Sequence, residues 1–392
     1  MIPLNTRKDV IYLNNAATSW PKPGEVLRAI QESLASPFLG GGRSADKAAQ
    51  DYIWSARTAI ADLVGVHEDE RVLFSHNATD ALNSLIQGFL SLHTEPVHVI
   101  TSVLEHNSVL RPLFELEQAD RIRLSLLPMK GACIDYEEMT EVITHDTRLA
   151  VLTHGSNVLG SVQNIREIGN ILNDNEIYFI ADGAQTTGHI PLAIDDMPVD
   201  AYVFTGHKAL FGIPGTGGFI IKDPEQINPV QFGGTGSDSS SLTHPREIPE
   251  RFEAGTHNFP GLAALAAGAQ YIQSVGQEVI EKKGIRQTRM MIERLKEEPN
   301  IIIQNDIPEI PIISLNINGL DNDDLGFILT RKYGIITRSG LHCAPLIHKE
   351  KDGGLGSVRL SLSWFTSDEE CIQAVQAISE VARSANCSVS QA

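Results

Sequence analysis

Over residues 72–221 short apolar runs alternate with amphipathic helical segments, and this alternation constrains the fold more than any other feature of the chain. Runs such as VHVITS, RLAVLT, IYFIAD and AYVFT are too apolar to be half-exposed and too short to be helices, so they read as buried parallel strands. Strands separated by helices make a doubly wound α/β architecture with a mostly parallel sheet the natural expectation. Such sheets bind ligands beyond the carboxyl ends of their strands. Two of those ends carry opposite charges: Asp182 closes one run and Lys208 closes the next.

An acid and an amine sharing a crevice suit pyridoxal phosphate. Its aldehyde condenses with a lysine, and its ring nitrogen keeps a proton beside a carboxylate. Lys208 precedes the glycine-rich GIPGTGG, where backbone can approach a ligand closely, and Thr205 and His207 beside it suit a phosphate. Gln185, three residues after Asp182, could reach a ring hydroxyl, although Asp182 could equally cap the next segment. Ala78, Thr79 and Asp80 open a helix whose hydroxyls and free N–H groups form a phosphate seat, or only cap it. Glu105, His106 and Asn107 follow another strand, and a flat imidazole there could stack on an aromatic cofactor. Neither GxGxxG nor GxxxxGK[ST] occurs, which disfavours nicotinamide and ATP readings.

At 392 residues the chain can hold two domains. Lys plus Arg number 31 against 49 Asp plus Glu, a net charge of −18, which argues against nucleic acid or an anionic membrane as partner. The start lacks an apolar leader, no run is long enough to span a bilayer, and a cytoplasmic protein is expected. Four cysteines without a CxxC pair indicate neither a disulfide framework nor a zinc site. The loop GGGRSADKAAQ precedes a helix with Ala49, Ile53, Ala56 and Ile60 near helical spacing and Ser44 as N-cap. After residue 221 a long Gly/Ser-rich segment ends in RFEAGTHNFPG. A second, smaller domain follows from IPIISLNI, the helix DNDDLGFILTRKY, SVRLSLSWF and a C-terminal helix.

Three residues outside the sheet invite chemistry. Cys343 in TRSGLHCAPLIHKEKDGGLGS is either a small buried hydrophobe or a thiolate favoured by Arg338, His342 and His348 nearby. Arg359 in SVRLSLSWF sits with Ser361 and Ser363 opposite Val358, Leu360 and Leu362. It is a solvated strand residue or a bidentate clamp for a carboxylate. Asn157 in THGSNVLG makes an Asx-turn or faces a substrate.

Taken together, YLNNAAT, FSHNATDALN, EHNSVLRP, GSNVLG, ADGAQ, TGHK, RFEAGT and RSGLHCA with the later RLS resemble the class V aminotransferase family of fold-type I pyridoxal phosphate enzymes. Within it the chain is similar to the group II cysteine desulfurases. The resemblance covers nearly the whole chain. It implies a mostly parallel seven-stranded sheet in a large domain over 14–275 and a smaller α+β domain from 1–13 and 276–392. It also implies a homodimer with shared active sites. Position by position, it makes Lys208 the Schiff-base lysine and Asp182 the partner of the pyridine nitrogen. Gln185 meets the ring oxygen, and His106 stacks on the ring and shares in catalysis. Ala78, Thr79, Thr205 and His207 hold the phosphate, with Thr256 reaching it from the other subunit. Asn157, Arg359, Arg338 and Ala17 fall to the substrate, Arg359 on its carboxylate. Cys343 becomes the nucleophile that takes sulfur from L-cysteine as a persulfide, releasing L-alanine and passing the sulfur to an acceptor protein or a reductant.

Two other activities fit the same residues. Selenocysteine lyase or another class V reaction would use the same cofactor and cysteine, and a cofactor-binding sulfur carrier would turn over little. One departure stands out: many relatives carry a histidine in the loop that here reads GGGRSADKAAQ, and no histidine occurs before His67. Arg43 stands in that space.

Overall fold

The computed structural model describes residues 10–35, 47–237 and 240–389, with side chains over 10–35, 52–237 and 240–385. Arg43 and the expected N-cap Ser44 lie outside the described residues. Contacts divide the chain into two compact units. The larger comprises 22–155 and 163–278, and the smaller comprises the chain up to Pro21, Ser156–Val162 and everything from Val279. The resemblance implies boundaries at 13/14 and 275/276, whereas residues 14–21, 156–162 and 276–278 fall to the other unit. Backbone hydrogen bonds explain why. The N–H of Asn15 donates to Ser361 (3.3 Å), and those of Glu309 and Ile310 both donate to the Gly160 carbonyl (2.8 and 3.0 Å).

The larger unit holds a seven-stranded sheet of β1 (Val72–Ser75), β2 (Val97–Ser102), β3 (Ile122–Leu127), β4 (Thr147–Thr153), β5 (Tyr178–Asp182), β6 (Ala201–Thr205) and β7 (Gly217–Ile221), in the order β1-β7-β6-β5-β4-β2-β3. All neighbours run parallel except β7, which is antiparallel to β1 and β6. β5, β6 and β7 are buried at every position, as expected of strands covered on both faces. The helices are α1 (Gly24–Ala35), α2 (Lys47–Val64), α3 (Ala78–Leu90), α4 (Asn107–Gln118), α5 (Tyr136–Val142), α6 (Ile165–Asp174) and α7 (Phe259–Val275). Asn77 caps α3 by accepting the Asp80 N–H, so Thr79 lies inside the first turn rather than capping it. Buried Leu82, Leu85 and Ile86 of α3 repeat at helical spacing and meet Val99, Leu149, Ile180 and Val203 of the sheet in one core. In α2, Ala56 and Ile60 are fully buried.

The smaller unit is built on an antiparallel sheet of β8 (Ile301–Ile303), β9 (Ile312–Ile317), β10 (Arg338–Gly340) and β11 (Ser357–Ser361), ordered β8-β9-β11-β10. It carries α8 (Gln277–Leu295), α9 (Asn322–Tyr333), α10 (Pro345–Asp352) and α11 (Asp368–Val389). Leu13, Met291, Leu315, Leu329, Leu360 and Ile378 share its core. Every residue of β11 is buried, so the alternation in SVRLSLSWF does not mark a solvated face, and the exposed reading of Arg359 falls. Among the described residues no helix is long and apolar enough to cross a membrane.

Among its described residues the long segment between β7 and α7 contains one 3-10 turn, and its end is fixed by a buried ion pair. Glu253 takes both Arg57 guanidinium nitrogens (2.9 and 2.8 Å), the Phe74 N–H (2.7 Å) and the His257 ring (3.1 Å). Burial alone would raise its carboxyl pKa, but Arg57 and His257 outweigh that and hold it below the usual value. A buried pair left with one member is costly. Glu253→Ala is therefore expected to destabilise the protein by roughly 3–5 kcal/mol, read as a lowered urea midpoint.

Candidate active site

In the larger unit, neighbouring strands deliver the acid and the amine. Asp182 ends β5 in register with Thr153 of β4 and Val203 of β6. Its Oδ1 accepts the Ala184 N–H at 2.9 Å. Burial raises the carboxyl's pKa, and the Ala184 N–H and the charge of Lys208 only partly counter this. A buried carboxylate in that position is stabilised by a cation. Lys208, half-buried, sits three residues past the end of β6 in a turn closed by the Phe211 N–H on its carbonyl (3.0 Å). Gly206 is required there, since a Cβ would collide with the Thr216 hydroxyl.

Around this pair lie groups suited to a phosphorylated ring. Thr205 is buried, and its Oγ1 has no hydrogen-bond partner. His207 is neutral, its pKa pushed down to about 4 by burial, with Lys208 and Lys22 adding to the effect. Gln185 is buried at 5% exposure. His106 caps α4 by accepting the Ser108 N–H on Nδ1 (3.1 Å). Ser108 also joins His106 to Thr79, with its hydroxyl 2.8 Å from Nδ1 and 2.7 Å from the Thr79 hydroxyl. Ala78 is buried at the start of α3, whereas Thr256 is exposed on the loop that Glu253 holds.

Three contributors here escaped the sequence reading. Ser108 had one local signal, its place two residues into a helix that His106 opens. Lys22 extends its ammonium to the His207 carbonyl (3.0 Å), and burial pushes its pKa down to about 8. Glu105 is fully buried, with Oε1 accepting from Ser102 and the Thr153 N–H and Oε2 without a partner. Burial drives its pKa up to about 8, only partly opposed by those hydrogen bonds, so it carries a proton at neutral pH. Below the ordinary carboxyl pKa of 4.5 both folded and unfolded chains are protonated. Between there and about 8 the unfolded chain releases its proton first, so stability falls as pH rises, by up to about 1.4 kcal/mol per pH unit. Glu105→Gln is expected to flatten that slope in urea titrations run from pH 5 to about 8.

The smaller unit gathers the remaining candidates into an anion-seeking cluster. Arg338 and Arg359 stand directly opposite across β10 and β11, an arrangement of like charges that is unfavourable unless an anion lies between. Arg359 is 1% exposed. Its Nη1 donates to the Asn157 carbonyl at 2.9 Å, while Nε and Nη2 have no partner. Burial, reinforced by Arg338, loosens its hold on its proton. Two unpaired buried N–H groups on one guanidinium face match the fork that a carboxylate takes. The Asn157 side chain donates to the His342 carbonyl at 2.7 Å. Arg338 Nη2 lies 3.2 Å from the Cys343 sulfur, and Cys343 is half-buried at φ +60°. Ala17 lies in a turn closed by its N–H on Asn14 (3.1 Å), and the preceding Ala16 N–H donates to the Ser361 hydroxyl (2.8 Å). Cys371 is buried. Among the described residues no cluster of three or more His, Cys, Asp or Glu could hold a metal.

The fit to pyridoxal phosphate is thus chemical: a buried acid lacking a full counter-charge, an amine beside it, and an unpaired threonine hydroxyl at the adjoining strand end. The whole chain also resembles known proteins. Residues 11–375 match the model of the aminotransferase class-V family. A protein of Methanothermobacter thermautotrophicus named "Probable cysteine desulfurase" is 30% identical, covering 96% of this chain and 95% of its own. One of the same name from Pyrococcus abyssi is 31% identical, covering 98% of each. The solved apo structure of the cysteine desulfurase from Thermococcus onnurineus superposes with a TM-score of 0.90 at 29% identity, over 98% of this chain and 99% of that one. The chain belongs to the class-V aminotransferase family, whose members are pyridoxal phosphate enzymes.

Proposed function

We propose that the protein is a cysteine desulfurase that moves the sulfur of L-cysteine onto Cys343 and releases L-alanine. The observation that carries this reading is the Cys343 thiol lying against Arg338, next to the opposed and half-unpaired Arg359. A sulfur beside two arginines supports the pairing of a nucleophile with a carboxylate clamp. The names of the relatives from Methanothermobacter and Pyrococcus point the same way.

Bound pyridoxal phosphate supplies an electron sink for the substrate's α-carbon. Asp182 is the group to keep its ring nitrogen protonated, Gln185 to meet the ring oxygen, and His106 to cover the ring. Thr205, His207, Thr79 and the start of α3 at Ala78 suit the phosphate. Lys208 carries the amine that holds the cofactor covalently and then moves the α-proton. Arg359, with Asn157 supporting it, holds the substrate carboxylate, and Ala17 and Arg338 border the same substrate. The Cys343 sulfur, 3.2 Å from Arg338 Nη2, attacks the substrate sulfur. The carbon–sulfur bond breaks, a sulfur–sulfur bond forms on Cys343, and the carbon takes up a proton, so that cysteine plus thiol becomes alanine plus persulfide. An acceptor protein or a reductant then removes the sulfur.

A homodimer belongs to the same reading, since Thr256 is exposed on its own subunit and would serve the partner's phosphate. So does a cytoplasmic setting, where reductants are at hand. The test is to incubate cofactor-loaded protein with L-cysteine and a thiol reductant. Alanine and sulfide are expected in equal amounts, and no alanine from loaded protein would refute the activity. Faster turnover of selenocysteine in a parallel arm would reassign the substrate.

A further inference from the structure

Cys343 and the residue before it, His342, both adopt the left-handed backbone region, at φ +60° and +51°. For a residue with a side chain this costs about 1–2 kcal/mol each, so the surroundings must impose it. Part of the restraint is visible at the backbone. The Ala344 N–H closes the turn on the Leu341 carbonyl (2.8 Å), and Asn157 grips the His342 carbonyl. The rest comes through side chains. His342 is buried at 2% exposure, with Nε2 3.0 Å from the Ser357 carbonyl and 3.1 Å from its hydroxyl. A carbonyl only accepts, so Nε2 carries the hydrogen and Nδ1 presents a lone pair.

That ring also meets His348 of α10, centroid to centroid at 5.5 Å. His348 is fully buried. Its Nδ1 lies 2.7 Å from Asp352 Oδ2, one helical turn on, and the pair is 1% and 8% exposed at the side chains. Asp352 is fixed in turn, since its Oδ1 accepts the N–H groups of Gly354 (3.1 Å) and Gly356 (3.3 Å). Each link is therefore pinned by the next, from the 354–356 loop through Asp352 and His348 to His342 and the nucleophile's backbone. Filling space does not account for the arrangement. A buried His–Asp pair stabilises a fold no better than apolar residues of similar volume do, and His342 Nδ1 and His348 Nε2 both remain without partners.

We propose that His348, oriented by Asp352, is a positioning residue for Cys343. It fixes the His342 ring, and with it the left-handed turn that presents the thiol to Arg338. This rests on the reading of Cys343 as the sulfur-accepting nucleophile.

The test compares His348→Leu, which keeps apolar volume, with His348→Asn, whose amide N–H can still donate to Asp352. Alkylation of Cys343 by iodoacetamide is followed by peptide mass analysis on protein loaded with cofactor. His348→Leu is expected to slow alkylation about tenfold, and His348→Asn to remain within about threefold of wild type. In turnover, kcat should fall with alkylation while KM for L-cysteine holds, because Arg359 is untouched. Packing alone predicts the opposite order. Wild-type alkylation in His348→Leu, or equal slowing in both variants, would overturn the proposal. Asp352→Asn gives an independent reading should His348→Leu not fold: slower alkylation of Cys343 supports the chain of restraints, and unchanged alkylation refutes it. Alkylation requires no turnover, so a wild type that makes no alanine while His348→Leu alkylates slowly would remove the proposed activity and leave the positioning role standing.

Discussion

Replacing Lys208 with alanine is expected to lower alanine production from L-cysteine by about 10³-fold or more, because proton transfer by a placed side chain contributes roughly 10²–10⁴-fold before covalent binding is counted. The environment of Lys208 explains the size of the loss. It lies on a turn fixed by the Phe211 N–H, beside buried Asp182, with Lys22 anchored on the neighbouring His207 carbonyl. The Lys22 ammonium is already committed to that carbonyl, so it is a poor substitute. A second readout separates chemistry from folding. The variant should keep its unfolding midpoint but release cofactor on gel filtration without reduction. Retained covalent cofactor in Lys208→Ala would assign the bond to a different lysine.

The second large effect concerns Cys343. Cys343→Ser preserves the size of the side chain and removes the soft sulfur nucleophile, and turnover of L-cysteine should fall on the order of 10²-fold or more. Cofactor absorbance should not change, since none of the residues proposed to hold the cofactor is altered. Arg338 predicts a graded companion result. Arg338→Lys keeps a positive charge near the sulfur but loses the planar fork, and an intermediate loss is expected in the same assay. Equal rates in wild type and Cys343→Ser would mean that sulfur leaves the substrate without passing through this thiol.

How far the chain could be read from sequence depended on whether a feature was local. Asp182 and Lys208 were legible because buried parallel strands are written as unbroken apolar runs, and each charge stands at or just past the end of one. The order of strands and helices followed for the same reason. Arg359 was only half legible. Its alternation with Val358 and Leu360 was plain, but its burial depends on what covers the second face of β11, and its opposition to Arg338 is a register between strands about twenty residues apart. The loop 156–162 reads as a β-to-α connection of the large sheet, yet its carbonyls are claimed by residues 309–314 of the smaller unit. Capping residues misled by two positions, since Asn77 rather than Thr79 closes the start of α3. The spacing of His348 and Asp352 was visible, but only their burial gives it meaning.

Whether Cys343 accepts sulfur is decided by intact mass analysis after a single exposure to L-cysteine without reductant. One added sulfur atom is expected, located on the Cys343 peptide and absent from Cys343→Ser, with one alanine released per sulfur bound. Alanine formed in full while the Cys343 peptide keeps its unmodified mass would contradict it.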